Sequence, residues 1–391
     1  MNSAFRIAAA ILLASAFTWG ACRRAPPAGA PPVIGASLPL SGGKAAYGKA
    51  VQSGIDLARE EIKQGGGPDI NVIYEDDRGL PADSLSAINK LIDIHHVPGI
   101  IGGMTSATAE PIIPVCNEHH VVLLSTSATK PSLVAPNSYF FRLWPSDNYD
   151  GAIMAKTAYE RLGMRKVAVL YINEAYGHGI TQVFEREFAR LGGSVVAKET
   201  YPEKATDFRA QLTKIGDKTP DGVFLPGYIA ETAQILRQAL QLGLRTRFLG
   251  TSGFKDPKLI EIGGEAAEGT VFSTPTFDVG SPDEEIRRFV TKYRSRHGAD
   301  PDAFAAEGYA ALRVIALAME RAGLTGATAP APGSDLLGCS REPTAGERLR
   351  EAMFQVKGFQ GPSGTITFEP DGDVKKPLRL MTVRGGKFVE L

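Results

Sequence analysis

Hydroxyl side chains follow two apolar runs that have the character of buried strands, and the polar chemistry of the sequence is concentrated there. Thr105 and Ser106 follow the run that ends at Gly103, and segment 125–129 (Ser-Thr-Ser-Ala-Thr) follows the next run. The carboxyl ends of neighbouring strands in an open α/β sheet border one crevice, so we expect both loops to face the same cleft. Hydroxyls and free N–H groups at a helix start would bind a carboxylate there without a full positive charge.

Ser106 has a second explanation, because serine is also a favoured N-cap residue of a helix. The two explanations are compatible, since a capping hydroxyl lies beside the free N–H groups of the first turn. Tyr176 and Tyr228 occupy the corresponding loops of the second half of the chain. Their rings could close over a ligand, although either ring alone would serve equally well for packing.

The sequence carries few of the motifs that mark enzymes. It has no Gly-Lys-Ser or Gly-Lys-Thr phosphate loop, no dinucleotide fingerprint after a strand and no Gly-x-Ser-x-Gly elbow, which segment 250–254 only approximates. A hydrolase would need a nucleophile with a base in reach, and His178 is the one histidine in the expected cleft loops. We therefore expect a binding protein rather than an enzyme.

Two histidine pairs, His95-His96 and His119-His120, suggest a metal site because imidazole is a good metal ligand. Each pair stands where a helix is expected to end, and a helix C-terminus favours side chains with partial positive charge. Adjacent histidines on one helix also point in different directions. The helix-end explanation is favoured, and we expect neither a metal nor a cofactor.

A regular alternation of short apolar runs and amphipathic stretches positions these loops, as in a parallel sheet covered by helices. It begins at Val33, pauses at a loop, 142–149, and restarts at Lys166, which predicts two doubly wound units. A Gly-, Ala- and Pro-rich insertion, 323–342, is expected to be a surface loop. The expected strands are 33–38, 70–74, 99–103, 121–125, 166–172, 194–199, 222–225, 246–250, 365–368 and 378–383, and the expected helices are centred on 51–62, 85–92, 107–118, 180–191, 208–215, 229–242, 283–297, 303–322 and 345–355.

Composition limits the classes of partner. The 391 residues include 43 Lys plus Arg and 43 Asp plus Glu, so the formal net charge is zero and gives no indication of a nucleic-acid partner. Small molecules or proteins are the more natural partners. Only Cys116 and Cys339 accompany Cys22, which excludes a disulfide framework and a cysteine-based zinc site but leaves one bridge open. No second apolar run is long enough to form a membrane channel.

The N-terminus has the features of an export signal. A basic residue, the apolar stretch 7–17 and small residues precede Cys22, so 1–21 is expected to be a signal peptide. Cys22 would then become a lipid-carrying first residue that tethers the protein to the membrane through 22–32. Trp19 stands where such signals usually carry Leu, and cleavage without lipidation would give a soluble periplasmic protein.

Short motifs occur in one order along the chain: 35–42 (Gly-Ala-Ser-Leu-Pro-Leu-Ser-Gly), Tyr47-Gly48, Gly54, 74–77 (Tyr-Glu-Asp-Asp), 102–106 (Gly-Gly-Met-Thr-Ser), Ser127-Ala128-Thr129, Tyr176-Gly177, Asp207-Phe208 and 309–312 (Tyr-Ala-Ala-Leu). Each motif is weak alone. Together they resemble the periplasmic leucine/isoleucine/valine-binding proteins of ABC transporters, and the similarity extends from Val33 to the C-terminus.

The resemblance implies the type I periplasmic binding fold, an α/β protein of two doubly wound parallel-sheet lobes joined by three hinge strands. One lobe would comprise 33–143 and 275–376, and the other 144–274 and 377–391. The ligand would lie between the lobes. Closure would deliver it to a membrane permease and its ATPase.

Individual ligand contacts follow from the same resemblance. Ser106 and Thr129 match hydroxyls that hold a ligand α-carboxylate, and the Ser127 carbonyl together with Thr129 matches groups that hold the α-ammonium. Tyr47 matches an aromatic residue that lines the first lobe, whereas Tyr176 and Tyr228 match the closing surface of the second lobe. The full expected ligand-binding set is Tyr47, Thr105, Ser106, Ser127, Ala128, Thr129, Tyr176, Tyr228 and Ser252.

One position departs from the family pattern. Where amino-acid binders of the family place Glu or Asp for the ammonium, in the turn 250–254, this chain has Ser252. A buried ammonium without an anionic partner is costly. Either Glu174 or Glu307 replaces the missing acid, or the ligand is not an α-amino acid. The family's early cysteine pair is also absent.

The leading hypothesis is a substrate-binding lipoprotein of an ABC uptake system. Its ligand would be a small carboxylate-bearing solute, by default a branched-chain or other aliphatic amino acid. The alternatives are a periplasmic sensory module that signals to a receptor, or a binder of an amide, an aromatic acid or an aliphatic acid. Export excludes the DNA-binding relatives of the fold, and no helix-turn-helix precedes Val33.

Overall fold

The structure, a computed structural model, describes residues 31–325 and 342–391. The expected signal peptide, Cys22 and most of the tether lie outside these ranges, as do Cys339 and most of the insertion. Cys116 is buried. Within the described ranges, no helix combines the length and the apolar character that crossing a membrane requires.

The first half of the chain builds a sheet of five parallel strands. Its elements are β1 (Val33–Leu38), α1 (Ala45–Gln64), β2 (Asn71–Asp76), α2 (Pro81–Asp93), β3 (Gly99–Ile101), α3 (Ser106–Glu118), β4 (Val122–Ser125) and β5 (Phe140–Arg142). The strand order is β2-β1-β3-β4-β5. Most of these strands are buried on both faces, which is why they form short continuous apolar runs in the sequence.

The middle of the chain builds most of a second sheet. Its elements are α4 (Asp147–Lys156), which continues into a π-helical turn (Thr157–Arg161), β6 (Lys166–Ile172), α5 (Ala175–Arg190), β7 (Ser194–Tyr201), α6 (Arg209–Gly216), β8 (Gly222–Phe224), α7 (Ile229–Gln241), β9 (Arg247–Gly250), α8 (Pro257–Gly263) and β10 (Val271–Pro275). Strands β6 to β10 run parallel to one another.

The last part of the chain adds strands to the second sheet and helices to the core of the first. Its elements are α9 (Glu284–His297), α10 (Ala303–Arg321), α11 (Ala345–Phe354), β11 (Phe359–Gly361), β12 (Gly364–Ile366), β13 (Leu378–Arg384) and β14 (Lys387–Glu390). Strands β13 and β14 complete the second sheet in the order β14-β13-β10-β9-β8-β6-β7. Helices α9 to α11 instead pack in the hydrophobic core of the first sheet.

The chain therefore passes between the sheets three times: after β5, after β10 and before β13. We call the first sheet with α1 to α3, α9 to α11 and the β11-β12 hairpin lobe 1, and the second sheet with α4 to α8 lobe 2. The expected α/β fold of two doubly wound lobes is confirmed, because each sheet is covered by helices and has its own core.

Helices α1 and α10 pack closely in lobe 1 because glycines face each other's backbone. A Cβ added at Gly54 would lie 2.0 Å from the Ala305 carbonyl oxygen, and one added at Gly308 would lie 2.2 Å from that of Val51. Both distances are far below van der Waals contact. Larger residues at these two positions would force the helices apart.

The sequence analysis predicted no strand at β5, β10, β11 or β14 and no helix at α4 or α8, and of these β5, α4 and β10 border the crossings between the lobes. The strands at Val33–Leu38 and Lys166–Ile172 have the predicted bounds. The expected loop 142–149 is wrong at both ends, because it contains the last residue of β5 and the first residues of α4. Ser146 accepts a hydrogen bond from the Asn148 amide and starts the helix inside the expected loop.

Candidate functional site

A cavity lies between the two lobes, at the carboxyl ends of the parallel strands. Residues of both lobes line it, as expected for the crevice of an open α/β sheet. The lining includes every expected ligand-binding residue except Ala128, which is buried behind it. The lining residues are Tyr47, Met104, Thr105, Ser106, Ser127, Thr129, Trp144, Asp147, Tyr176, Gly227, Tyr228, Ser252, Gly253 and Phe304.

Ser106 is positioned to donate a hydrogen bond into this cavity. Its Oγ accepts hydrogen bonds from the amides of Thr129, at 3.4 Å, and Lys130, at 3.2 Å. Because both contacts use the oxygen as acceptor, the hydroxyl hydrogen remains available for a ligand. Ser106 is also the first residue of α3, whose first-turn N–H groups have no acceptor within the helix.

The N-cap of α3 is Thr105, one residue earlier than the expected cap at Ser106. Thr105 and Thr108 form a reciprocal capping box, with the Thr108 amide 3.2 Å from the Thr105 hydroxyl. The Thr105 hydroxyl is thus committed to the helix. Of the hydroxyls of Thr105 and Ser106, only that of Ser106 is left for a ligand.

Serines at the end of β4 and just after it join the two expected loops. Ser125 donates to the Gly103 carbonyl and Ser127 to the Met104 carbonyl, both at 2.7 Å. The Ala128 amide in turn donates to the Ser125 hydroxyl at 3.0 Å. These bonds fix the position of the loop, so the side chains of Ser125 and Ser127 serve the scaffold rather than a ligand.

Arg142 also holds the end of the loop that follows β4 in place. Its guanidinium is fully buried, contacts both carboxylate oxygens of Asp373 at 2.7 and 2.8 Å, and donates to the Lys130 carbonyl at 3.0 Å. A bidentate pair of this kind holds both partners in one geometry. Arg142 therefore links the residue after Thr129 to the segment that precedes the third crossing.

Asp147 is the acidic residue of the cavity lining, and sequence reasoning missed it. The residue is fully buried, lines the cavity, and neither carboxylate oxygen has a hydrogen-bond partner in the described residues. Burial and then the nearby Asp150 carboxylate raise the pKa of Asp147 well above its usual value, and the positive charge of Arg142 offsets this only in part. The acid directly follows the N-cap Ser146, a signal hidden by the assignment of 142–149 to a loop.

The closing wall in lobe 2 presents aromatic faces. The Tyr176 and Tyr228 rings stack with centroids 5.8 Å apart. Their hydroxyls are occupied within lobe 2, since that of Tyr176 lies 2.6 Å from the Thr251 hydroxyl and that of Tyr228 donates to Glu174. The rings, rather than the hydroxyls, therefore face the cavity.

The opposite end of the cavity is apolar and aromatic. Trp144 stacks on Phe304 at 5.2 Å between ring centroids, and Tyr47 lies 4.7 Å from Phe304 and 6.4 Å from Tyr228. The Tyr47 hydroxyl is buried and without a hydrogen-bond partner among the described residues. Phe304 stands in the first turn of α10, and no motif in the sequence indicated it. This end can surround an apolar ligand side chain.

Neither acid expected to replace the missing carboxylate is free in the structure. Glu307 is fully buried and pairs with Lys376 at 2.8 and 3.0 Å, away from the cavity lining. Glu174 pairs with Lys44 at 3.5 Å and accepts the Tyr228 hydroxyl. Ser252 lines the cavity as expected and contributes no charge.

The histidines lie away from the cavity lining. His178 Nε2 lies 2.9 Å from the Asn173 side-chain oxygen. His119 is the C-cap of α3, and His120 stacks on Tyr139 at 5.3 Å, so this pair stands at a helix end as expected. In the part of the chain that the structure describes, no three His, Cys, Asp or Glu side chains are grouped as metal ligands.

Comparison with known proteins agrees with this architecture. The profile of the family described as periplasmic binding protein matches residues 31–387. Leu/Ile/Val-binding protein homolog 3 of Brucella melitensis is 28% identical over 348 residues, which cover 88% of this chain and 89% of that protein.

Two solved structures extend the comparison. The leucine-binding protein LivK of Thermotoga maritima superposes with a TM-score of 0.82 at 31% identity, covering 92% of this chain and 97% of its own. The branched-chain amino acid transporter substrate-binding protein LivJ of Streptococcus pneumoniae, solved with isoleucine, has a TM-score of 0.79 at 27% identity, covering 92% and 98%. The resemblance expected from the sequence is thereby confirmed, and the chain belongs to the periplasmic binding protein family.

Proposed function

We propose that the cleft binds the zwitterionic head of an α-amino acid with an apolar side chain. The observation that carries this proposal is the buried, unpartnered carboxylate of Asp147 beside the Ser106 hydroxyl and the start of α3. An anion and a carboxylate-binding helix start in one cavity complement an ammonium and a carboxylate on the same ligand.

Each part of such a ligand has a partner in the cavity. Ser106, the first-turn amides of α3 and Thr129 would hold the α-carboxylate, and Asp147 would hold the α-ammonium. Trp144 and Phe304 would surround the side chain. In this arrangement Asp147 takes the place of the acid that is missing at Ser252.

The relatives support an aliphatic amino acid. The Streptococcus pneumoniae neighbour was solved with isoleucine, and the Thermotoga maritima neighbour is described as a leucine-binding protein. A simple aromatic or aliphatic acid would leave Asp147 buried without a cation, which is costly. An amino acid is therefore the better match to this cavity.

A thermal-shift screen tests the ligand class, because a ligand that binds only the folded state raises the melting temperature. The screen would compare the twenty amino acids with aliphatic acids, benzoate and amides. We expect stabilisation by L-leucine, L-isoleucine or L-valine and none by the acids that lack an amine. Stabilisation by benzoate but by no amino acid would contradict the proposal.

Substitution of Ser106 tests the site itself. Ser106→Ala should weaken amino-acid binding about tenfold or more, because it removes a hydrogen bond to a charged group worth about 1.5–3 kcal/mol. Ser127→Ala is the matched control, since the Ser127 hydroxyl is committed to the Met104 carbonyl. Equal effects of the two substitutions on ligand affinity would place the carboxylate elsewhere.

We infer that the protein binds its ligand without turning it over and hands it to an ABC permease and ATPase. The named lining residues include no imidazole, thiol or amine that could activate a hydroxyl. Family membership implies a periplasmic location. Coupling to transport would be tested by uptake of labelled leucine in cells that lack this protein.

We further propose that Cys22 carries a lipid and anchors the protein to the membrane. The export signal that ends at Cys22 supports this assignment. Cys22→Ala should move the protein from the detergent phase to the soluble fraction of the envelope. An unchanged distribution would indicate a soluble periplasmic protein.

A further inference from the structure

Lys44 stands at the N-terminal end of α1, where its charge opposes the stability of the helix. It is the N-cap residue, makes no side-chain capping bond, and only 4% of its surface is exposed. Ser, Thr, Asp and Asn are favoured at an N-cap, and the positive end of the helix dipole disfavours a cation. Contacts outside α1 must therefore account for the position of this ammonium.

Those contacts come from the other lobe. Lys44 Nζ lies 3.2 Å from a Glu203 carboxylate oxygen, 3.5 Å from one of Glu174, and 5.0 Å from the centre of the Tyr228 ring. Glu174 precedes α5 and Glu203 follows β7, so both belong to lobe 2. Opening of the cleft would separate the cation from all three partners.

This ion cluster directly adjoins the ligand cavity. Glu174 accepts a hydrogen bond from the hydroxyl of Tyr228, and the Tyr228 ring lines the cavity. Lys44 is itself outside the lining. A continuous set of contacts thus runs from a cavity-lining ring through Glu174 to a cation on the opposite lobe.

We propose that Lys44 is a cross-lobe positioning residue: it holds Glu174 and Tyr228 in the closed arrangement and thereby slows the departure of a ligand. The contacts exist only when the lobes are closed, so they stabilise the closed state relative to the open state. A ligand enters the open form, in which Lys44 and its partners are separated. Removal of the charge should therefore change dissociation far more than association.

Binding kinetics of L-leucine provide the first test. L-leucine should dissociate about tenfold faster from Lys44→Met than from the wild type, with little change in the association rate. The dissociation rate of the variant should also depend less on salt concentration than that of the wild type. Lys63→Met is the matched control, because Lys63 stands on the same helix and pairs with Asp69 at 2.7 Å within lobe 1. It should leave both rates unchanged.

A double-mutant cycle separates the proposed contact from a general loss of stability. Glu203→Gln should accelerate the dissociation of L-leucine in the wild-type background. It should have a smaller effect in the Lys44→Met background, since the Lys44–Glu203 ion pair is already broken there. Equal effects of Glu203→Gln in both backgrounds would show that the two residues act independently. That outcome would overturn the proposal.

The distance between the lobes provides a test that does not depend on the proposed ligand. Spin labels at Ile94→Cys and Leu240→Cys, which are exposed on opposite lobes, would report it in a chain with Cys22 and Cys339 replaced by serine. Lys44→Met should deplete the closed population with and without L-leucine. An unchanged population, or a wild type that never closes, would contradict the role of Lys44. Failure of L-leucine to bind would count against the proposed function alone.

Discussion

Asp147 and Arg142 are both fully buried charged residues, but only one of them has a partner. Arg142 is held by Asp373, whereas neither oxygen of Asp147 has a hydrogen-bond partner in the described residues. A buried polar group without a partner costs free energy, and such costs persist mainly at functional sites. The difference is the one expected between a scaffold residue and the ligand-binding residue that we propose.

Asp147→Asn should therefore have opposite effects on stability and on binding. At pH 7 the ligand-free protein should gain roughly 1–3 kcal/mol in free energy of unfolding, because a neutral amide is less costly to bury than an acid whose pKa is raised. The affinity for L-leucine should fall about 100-fold or more, because the ammonium loses its anionic partner. Urea unfolding and titration calorimetry measure the two effects.

Asp150→Asn is the matched control for that substitution. Asp150 stands three residues later on α4, and it already accepts a hydrogen bond from Ser273. It should change ligand affinity by no more than a few-fold. A loss of binding as large as that of Asp147→Asn would show that α4 as a whole, rather than Asp147, determines affinity.

At the scale of elements, the Asp150–Ser273 contact joins α4 to β10, the strand from which the chain returns to lobe 1. Burial raises the pKa of Asp150 to about 6 from an ordinary value of 3.8, and the Ser273 hydroxyl offsets this only in part. A buried acid at a crossing between the lobes makes the stability of this region depend on pH.

The folded state should hold the Asp150 proton between about pH 4 and pH 6, where the unfolded state has released it. Stability contributed by this group is therefore present at low pH and is lost as pH rises through that window, by roughly 3 kcal/mol in total. Urea unfolding of the wild type and Asp150→Asn at several pH values measures the difference. The stability of the wild type relative to Asp150→Asn should fall as pH rises from about 4 to about 6. A wild type that gains stability relative to the variant over that range would contradict this sign.

A second buried contact fixes the segment before the third crossing. Lys376 lies just before β13, and its ammonium contacts Glu307 of α10 and the Ser363 hydroxyl at 2.9 Å. Burial raises the pKa of Glu307 and lowers that of Lys376, and the attraction between them opposes both shifts. Together with Arg142–Asp373, this pair holds the segment against lobe 1.

Glu307→Gln should destabilise the protein by about 3–5 kcal/mol, because it leaves the Lys376 charge buried without an anionic partner. Adding Lys376→Met should restore most of that stability, since no unpaired charge then remains. Chemical unfolding of the single and double variants measures both changes. A double variant as unstable as Glu307→Gln would show that packing, rather than charge, accounts for the loss.

At the scale of the whole molecule, the two lobes have separate cores and share the cavity between them. Contacts across the cavity, such as Tyr47 with Tyr228, are therefore free to form and break without unfolding either lobe. A ligand that contacts both lobes shifts the equilibrium towards closure.

Saturating L-leucine should compact the protein and stabilise it. At 100 times the dissociation constant the gain is about 2.7 kcal/mol in free energy of unfolding. Small-angle X-ray scattering should show a smaller radius of gyration with the ligand. At the same concentration, which is then close to its own dissociation constant, Asp147→Asn should show no more than about half of that change. Stabilisation without compaction would mean that the ligand binds one lobe only.

Much of the fold could be predicted because its signals are local. Most strands and helices appear in the sequence as apolar runs and helical stripes, and the hydroxyl loops directly follow strands β3 and β4. The short strands β5, β10, β11 and β14 and the helices α4 and α8 were not predicted. Prediction failed at 142–149, where α4 begins with polar residues and only the Ser146 cap marks its start. A helix start without an apolar stripe carries little local signal.

The sequence by itself determined the class of fold, the paired loops that carry Ser106 and Thr129, and the departure at Ser252. Only the tertiary structure decided which acid lines the cavity, that Phe304 lines it too, and that Glu174 and Glu307 are bound to lysines. The physical reason is that periodicity and turn chemistry act over a few residues. Pairing of buried charges depends on distances between positions such as Lys44 and Glu203, which only the packing of two lobes brings together.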